Sequence, residues 1–582
     1  MILQALKEYY DRKAADPDGD IAPLGWEKKE LPFLVVINME GVFLRFEDTR
    51  EPEGKTLRAK RFLVPSLGEA KGNGIKSNLL WENAEYMFGI PMRKTSKAER
   101  VAKQHEAFTE KILSLASSPS PGSALAAVQA FVTKIDLEKI KADPLWPEVE
   151  ALNQSLLLSI SGVGPATDIP EIRDAVNRRT AASTQGNTAL CLVSGNQDVM
   201  STLEPPIRGV QGASTMGAHL VAVNNKVSES GNGGATPAFA SFMKEQGANS
   251  PIGKTASFAY TTALNTLLGK DSKQKLQVGD ATTVFWSSKK NKFEGAIRNF
   301  LAEPPKDDPD RLTNAVAELY KSIDSGTLAV DSGDTRFYVL GLSPNAARIA
   351  VRFWYSATVQ ELALHIRAYF DDLRIAHGKD DKEDLSLWRL LVSTAVQGKS
   401  ENIAPNLAGE TMRCILAGLP FPETLLQAAL LRIKAERDVT YPRAKLIKGC
   451  LNRKSKERKI TVSLDKQSPN VGYRLGRLFA VLEKIQQEAG ITATIRDRFY
   501  ASASSSPSMV FGNLMRLKNH HLAKLENTGR RIWFEKLLGE IISDISDFPA
   551  HLTLDDQGRF AIGYYHQMQD LWTKKSAKEE NV

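Results

Sequence analysis

Up to about residue 343 the chain mixes short β-branched and aromatic runs with turns rich in Gly, Asn and Pro. From Ala346 onward its apolar residues recur mostly every three or four positions. Strands repeat their buried face every two residues and helices every 3.6, so this switch limits the possible folds severely. It predicts an α+β protein: a mixed N-terminal strand and helix region, then an all-α C-terminal region ending in a four-helix bundle. The expected divisions are 1–110, 111–343, 344–460 and 461–582.

Within the first part, "LPFLVVINMEGVFLRFED" reads as a hairpin turning at "MEG", and "KRFLVPS" as a further strand. Residues 95–142 read as helices broken at "SSPSPGS". "TALCLVSGNQ", "AHLVAVNN", "TTVFWSS" and "RFYVLGLSPN" read as strands, 256–268 as a helix, and "AEPPKDDPD" as a linker. Helices are then expected at 346–377, 385–397, 407–418 and 422–438. After a basic stretch come four more, the first carrying Leu475, Leu478, Phe479, Leu482 and Ile485 on one face.

"GANSPIGKTASFAY", residues 247–260, looks at first like a phosphate-binding loop. A P-loop needs G-x-x-x-x-G-K-[ST]. Counting back from Gly253, the first glycine should stand at 248, but that residue is Ala248 and the glycine is Gly247. Pro251 also removes one of the N–H groups that would line the cradle. The segment reads as a loop that caps a helix starting near Lys254.

At 582 residues, 42% of them hydrophobic and 25% charged, the chain has ample material for several cores. No uncharged apolar run reaches the roughly 18 residues of a membrane span, and the charged first helix does not read as a signal peptide. Cys191, Cys414 and Cys450 form no C-x-x-C pair, which fits a reducing cytoplasm and argues against a zinc ribbon. The net charge of +8 permits an anionic partner. It concentrates in "KTLRAKR" at 55–61, "RKTSKAER" at 93–100 and "RAKLIKGCLNRKSKERK" at 443–459. Three such clusters point toward nucleic acid. The last is expected to meet phosphates through Arg443, Lys445, Lys448, Arg453, Lys454 and Lys456.

No catalytic constellation emerges. The eight histidines form no H-x-H or H-E-x-x-H, "GVQGASTMG" is not a nucleophile elbow, and the paired carboxylates of "FDDLR" and "LDDQGR" read as solvated. No metal or cofactor is expected. What remains is loops built for close approach. "KGNGIKSN" sets Lys71, Asn73, Lys76 and Asn78 around Gly72 and Gly74, either as a surface turn or as a reader of base edges. "RGVQGASTMG" brings Arg208, Gln211, Ser214 and Thr215, and the opening segment brings Lys254 and Thr255. Both are suited to phosphates and grooves.

"PFLVVINMEGVF", "KGNGIKSNLLWENAEYMFG", "CLVSGN", "IRGVQGASTMGAHLVAVN", "GANSPIGKTASFAYTTALNTLL", "TTVFWSS" and "YRLGRLFAVLEKIQQEA" occur in this order. Together they resemble the large subunit of the type I-C CRISPR Cascade complex, over almost the whole chain. The resemblance implies a non-enzymatic subunit near the 5′ handle of the CRISPR RNA, among backbone and handle-binding subunits. It implies reading of the protospacer-adjacent motif (PAM) in target duplex DNA, help in opening the duplex, and delivery of the R-loop to a separate helicase–nuclease. The "KGNGIKSN" loop is carried over as the PAM reader. A general nucleic-acid scaffold, and a P-loop ATPase or metal nuclease, are the rival readings.

The same resemblance implies a small subunit, made from an internal start in the same gene, that binds the displaced strand. The only methionines between 413 and 567 are Met509 and Met515, and both lie past the first bundle helix. A non-ATG start near Val462 or Leu464 is therefore expected.

Overall fold

The computed structural model describes residues 1–579 except 55, 69–73, 183–185, 202, 223–247, 249, 279–280, 292–293, 296, 298–319, 324, 326–333, 347, 405–406, 456–458 and 492–494. The "AEPPKDDPD" linker and the first three residues of "KGNGIKSN" lie outside the described residues. The chain falls into two compact units, Met1–Ser272 with Pro344–Ala350, and Lys273–Ser343 with Val351–Val582. The sequence boundary at 110 falls inside a helix, Ala98–Leu113.

In the first unit, helix α1 (Ile2–Ala15) is followed by strands β1 (Trp26–Glu30), β2 (Phe33–Ile37), β3 (Phe43–Asp48), β4 (Arg50–Glu53), β5 (Thr56–Ala59), β6 (Arg61–Pro65) and β7 (Trp81–Glu82). Helices α2 (Ala84–Phe88), α3 (Ala98–Leu113), α4 (Ala124–Thr133), α5 (Leu137–Lys141) and α6 (Trp146–Leu152) come next. After them run β8 (Leu156–Ile160), β9 (Gly164–Pro165), α7 (Pro170–Ala182), the hairpin strands β10 (Thr188–Leu190) and β11 (Gln197–Val199), and α8 (Lys254–Leu267). The sequence-predicted hairpin is β2–β3. It joins a sheet of order β3-β2-β8-β7, in which β2 and β8 run parallel with Phe33 beside Leu156. One face, with Phe33, Val35, Ile37, Leu156 and Leu158, packs on α2–α6, while Leu34, Val36 and Leu157 of the other cover Phe62 and Trp81. Polar residues cap three of the helices: Asn83, Ser123 and Asp136 each accept a first-turn N–H. "AHLVAVNN" forms no strand among its described residues, only single bridges from Ala218 and His219.

The second unit opens with a four-stranded sheet, β12 (Lys275–Val278), β13 (Ala281–Ser287), β14 (Arg336–Asn345) and β15 (Arg348–Thr358). The tip of the last hairpin, Pro344–Ala350, groups with the first unit. Strand β15 corrects the expected helix 346–377. Ile349, Val351, Phe353, Tyr355 and Ala357 alternate along it, and the strand lies beside β14. Helix α9 (Val359–Leu373) starts only at Thr358, through a capping box with Glu361. Helices α10 (Leu387–Val392), α11 (Leu407–Leu416), α12 (Glu423–Glu436) and α13 (Tyr441–Lys454) follow.

The C-terminal bundle comprises α14 (Val471–Glu488), α15 (Ile495–Ser505), α16 (Phe511–Ala523), α17 (Thr528–Ile542) and α18 (Leu554–Glu579). Four are the sequence-predicted helices, and α15 is an addition between the first two. Helices α14 and α18 form the tightest pair. A side chain at Gly476 would strike the Phe560 carbonyl, and one at Gly563 the Tyr473 carbonyl, so glycine sets the backbone separation. Arg477 is fully buried and donates to Gln567 (3.1 Å), Glu540 (3.0 Å) and the Lys466 carbonyl (3.1 Å).

Candidate nucleic-acid interface

Lys71, Gly72 and Asn73 lie outside the described residues, but the root of their loop is well defined. Buried Glu82 accepts the backbone N–H groups of Asn78 (2.9 Å) and Asn83 (3.0 Å). Lys111 of α3 donates to the Ser77 carbonyl at 2.6 Å. Gly74 is exposed and Lys76 half-buried. Asn78 is not a contact residue: it is buried, and its N–H anchors the loop. Beside the root, α2 and α3 join through a turn held by Glu85, which accepts the Met92 N–H (3.3 Å) and the Ser96 hydroxyl. Arg93, Lys94 and Lys97 are exposed on this turn. The Tyr86 hydroxyl links the two features: it meets the Lys76 backbone, and the Arg100 charge acts on it. Helix α3, which carries the end of the "RKTSKAER" cluster, and the root of the glycine loop thus meet at Tyr86.

The two arginines of the "KTLRAKR" cluster are paired within the fold. Arg58 pairs with Glu30 (2.9 Å), Glu53 (3.0 Å) and Asp271 (2.7 Å), and Arg61 with Asp271 (3.0 Å).

The P-loop likeness has a structural answer. The N-terminus of α8 would attract a phosphate, but Asp198 already occupies it, its Oδ2 accepting the Thr255 N–H at 3.0 Å. Gly253 is needed because any side chain there would strike that carboxylate, and its N–H goes to Cys191 Sγ at 3.2 Å. Lys254 and Thr255 are exposed. Loop 208–217 is rooted instead at the far end of α8, where Arg208 N–H donates to Asn265 (2.8 Å) and Asn265 to the Pro206 carbonyl (3.1 Å). At 1.5 Å per residue, Lys254 and Asn265 stand about 16 Å apart along the axis, so the two loops do not form one cradle. Arg208, Gln211, Ser214 and Thr215 are all exposed or half-buried at the surface.

The expected phosphate-binding stretch turns out to be a structural hub. Arg443, Lys445 and Lys448 are buried, and the Arg453 side chain is 4% exposed. Each donates to protein oxygens, mostly at the C-terminal end of another helix, where the last carbonyls lack partners. Lys448 donates to the Arg374 carbonyl after α9, and Arg443 to the Ser393 carbonyl after α10 (2.9 Å) and the Asp438 carbonyl beyond α12 (3.0 Å). Arg453 donates to Cys414 of α11 (3.1 Å), and Lys445 to the Glu383 carbonyl. Burial lowers Lys445 and Lys448 to about 8. These four residues hold helices together and are not phosphate contacts. Lys454 is exposed but bridges Glu423 and Asp555, and Lys456 lies outside the described residues.

Residues 6–572 match the family model of a CRISPR-associated protein (Cas_Csd1). The chain belongs to the Cas_Csd1 family. No curated protein matches it. No helix among its described residues is long and apolar enough to cross a membrane, and no three His, Cys, Asp or Glu among them converge as metal donors.

For this Cas_Csd1 member, the structure also exposes a basic face that sequence reasoning passed over. Asn513, His520 and Lys524 are exposed along one side of α16, with Arg516 between them. No Asp or Glu occurs from Arg498 to Leu525. That acid-free span was the available signal; its basic residues are too spread out to look like a cluster.

Proposed function

We propose that this protein is the large subunit of a type I-C CRISPR RNA-guided surveillance complex, Cascade, with no catalysis of its own. It reads the PAM in duplex DNA, helps open the duplex, stabilises the R-loop and recruits the helicase–nuclease. Base pairing with the guide reads the long sequence, so the protein needs to read only a short duplex tag. One observation carries the reading beyond family membership: the root of the glycine loop is rigid and is tied through Tyr86 to the α2–α3 segment, whose turn exposes Arg93, Lys94 and Lys97. Such a surface holds phosphates while a loop reaches base edges. The ATPase reading is disfavoured because Asp198 fills the helix N-terminus that a phosphate would use. Purification from a host carrying the native locus is the test. The chain should come with a stoichiometric RNA longer than the roughly 20-nucleotide pairing segment. Recovery without RNA would sink the proposal.

The loop makes a sharper prediction. Asn73→Ala should weaken binding to PAM-bearing duplex by about 1–3 kcal/mol, the worth of a good base contact. Binding to a pre-opened bubble should change much less. Equal effects on both substrates would remove the loop as the reader.

The bundle is proposed to hold the displaced strand through phosphates. With Arg443, Lys445, Lys448 and Arg453 buried, the α16 face takes that role. Replacing Arg516 and Lys524 with Ala should flatten the log–log salt dependence of single-strand affinity by about 0.7 for each phosphate that is no longer neutralised. An unchanged slope would leave α16 a plain solvated face.

A further inference from the structure

Segment 461–467 and the middle of α18 line a cavity of about 550 Å³ within the second unit. Ser463, Asp465, Lys466, His566, Gln569 and Asp570 face it. Of these, His566 is 1% exposed, and its Nε2 is buried with no hydrogen-bond partner among the described residues. Asp465 N–H donates to the Tyr473 hydroxyl at 3.0 Å, so that hydroxyl gives its own proton to His566 Nδ1 at 2.8 Å. Nδ1 is thus the acceptor, and Nε2 carries the ring proton. Burial, helped by the Lys448 charge, holds His566 down at about 3, so the ring is neutral. The Val462 carbonyl is close enough to act on the ring, but it already takes the Ala376 N–H at 2.8 Å. A buried donor left without an acceptor costs more than a made hydrogen bond returns. The fold keeps this one at a cavity wall, where a ligand can supply the acceptor.

His566 and Asp570 are four positions apart on α18 and so stand one turn apart on one face. An N–H donor beside a carboxylate suits a planar ligand that carries one acceptor next to N–H donors. Guanine has that set on a single edge, with O6 beside N1–H and the N2 amino group. Trp572 lies three positions from Gln569, hence on the same face as that cavity residue, and is 52% exposed. An exposed indole next to a polar cavity is the kind of platform on which the bases of a single strand stack. We propose that the cavity takes one unstacked guanine of single-stranded DNA, with His566 donating to O6, Asp570 accepting from N1–H and N2–H, and Trp572 stacking on the next base. This rests on the displaced-strand role proposed above for the bundle. The α16 face holds phosphates whatever the sequence, and the cavity adds one position at which the base counts.

The test measures binding of the full-length chain to labelled oligothymidine strands that carry one central guanine or, in its place, an abasic site. The wild type should bind the guanine strand about tenfold more tightly, the scale on which one bound base contributes. Asp570→Asn and His566→Phe should each erase that preference and leave affinity for the abasic strand as in wild type. Asp570 is only half-buried, so its variant decides the matter even where His566→Phe fails to fold. Excess deoxyguanosine monophosphate should compete away the preference without releasing the abasic strand. Equal wild-type affinity for the two strands overturns the base site; if the free nucleotide still binds, the cavity serves a nucleotide and not a strand. A preference that survives Asp570→Asn also overturns it, since the guanine is then held elsewhere. A wild-type chain that binds neither strand overturns the displaced-strand role itself, and the base site with it.

Discussion

Arg453→Ala should destabilise the helical unit by about 3–5 kcal/mol, the usual cost of breaking a buried ion pair from one side. Its partner Asp372 is 6% exposed and lies 3.4 Å away. The same guanidinium donates to the Cys414 and Leu419 carbonyls and lies over the Phe421 ring at 4.7 Å. Lys459 also pairs with Asp372 at 2.7 Å but is itself largely exposed, so it offsets little of the destabilisation. Urea denaturation followed by helical circular dichroism reads the change. The salt dependence of DNA binding by the folded variant should stay as in wild type, because Arg453 holds no phosphate. A variant of normal stability with a flattened salt slope would restore the phosphate reading of this stretch. Lys445 and Lys448 add a pH signature. Their folded values sit near 8, below the usual 10.5, so the folded state gives up protons that the unfolded chain retains. Stability from these two groups therefore rises between pH 8 and 10.5. Lys448→Met should reduce that rise.

Expression from the native gene should yield a second product of about 120 residues that starts near Val462 or Leu464 and folds alone as a bundle. The start has to spare α14. Segment 465–470 is fastened to that helix: Asp465 N–H donates to the Tyr473 hydroxyl (3.0 Å), Arg474 to the Ser468 carbonyl (2.6 Å) and Arg477 to the Lys466 carbonyl (3.1 Å). Asn470 caps α14 and also donates to Asp556 at 2.9 Å. A chain starting at Met509 would lack both α14 and α15. Glu483, which accepts the Tyr564 hydroxyl at 2.7 Å, would be gone, and so would Arg477, which binds Gln567. The groove that Leu475, Leu478, Phe479, Leu482 and Ile485 fill would lie open, an aggregation-prone apolar patch. Intact-mass measurement of the purified complex decides the matter. Only full-length chain, or a fragment beginning at Met509, would refute the internal start.

Periodicity by itself determined a good part of this protein. The β2–β3 hairpin follows from an apolar run, a turn and an alternating return. Helix α14 follows from a stripe repeating at 3.6 residues. The ordered motifs carried the family, because they are a property of the chain alone. Tertiary structure decided the rest, wherever a residue's role depends on what faces it. Residues 348–358 carry aromatic and β-branched side chains that fit a strand, yet they lead without a break into a helix. The neighbouring β14 marks the strand, and the Thr358–Glu361 box marks where the helix starts. A run of lysines and arginines reads as solvated because charge is costly to bury. Arg443, Lys448 and Arg453 go inside here because the carbonyl ends of α9, α10 and α11 converge on α13 and replace water as acceptors. Asp198 closes the mouth of α8 from 57 positions away, a pairing that no local reading of Gly-Lys-Thr could contain.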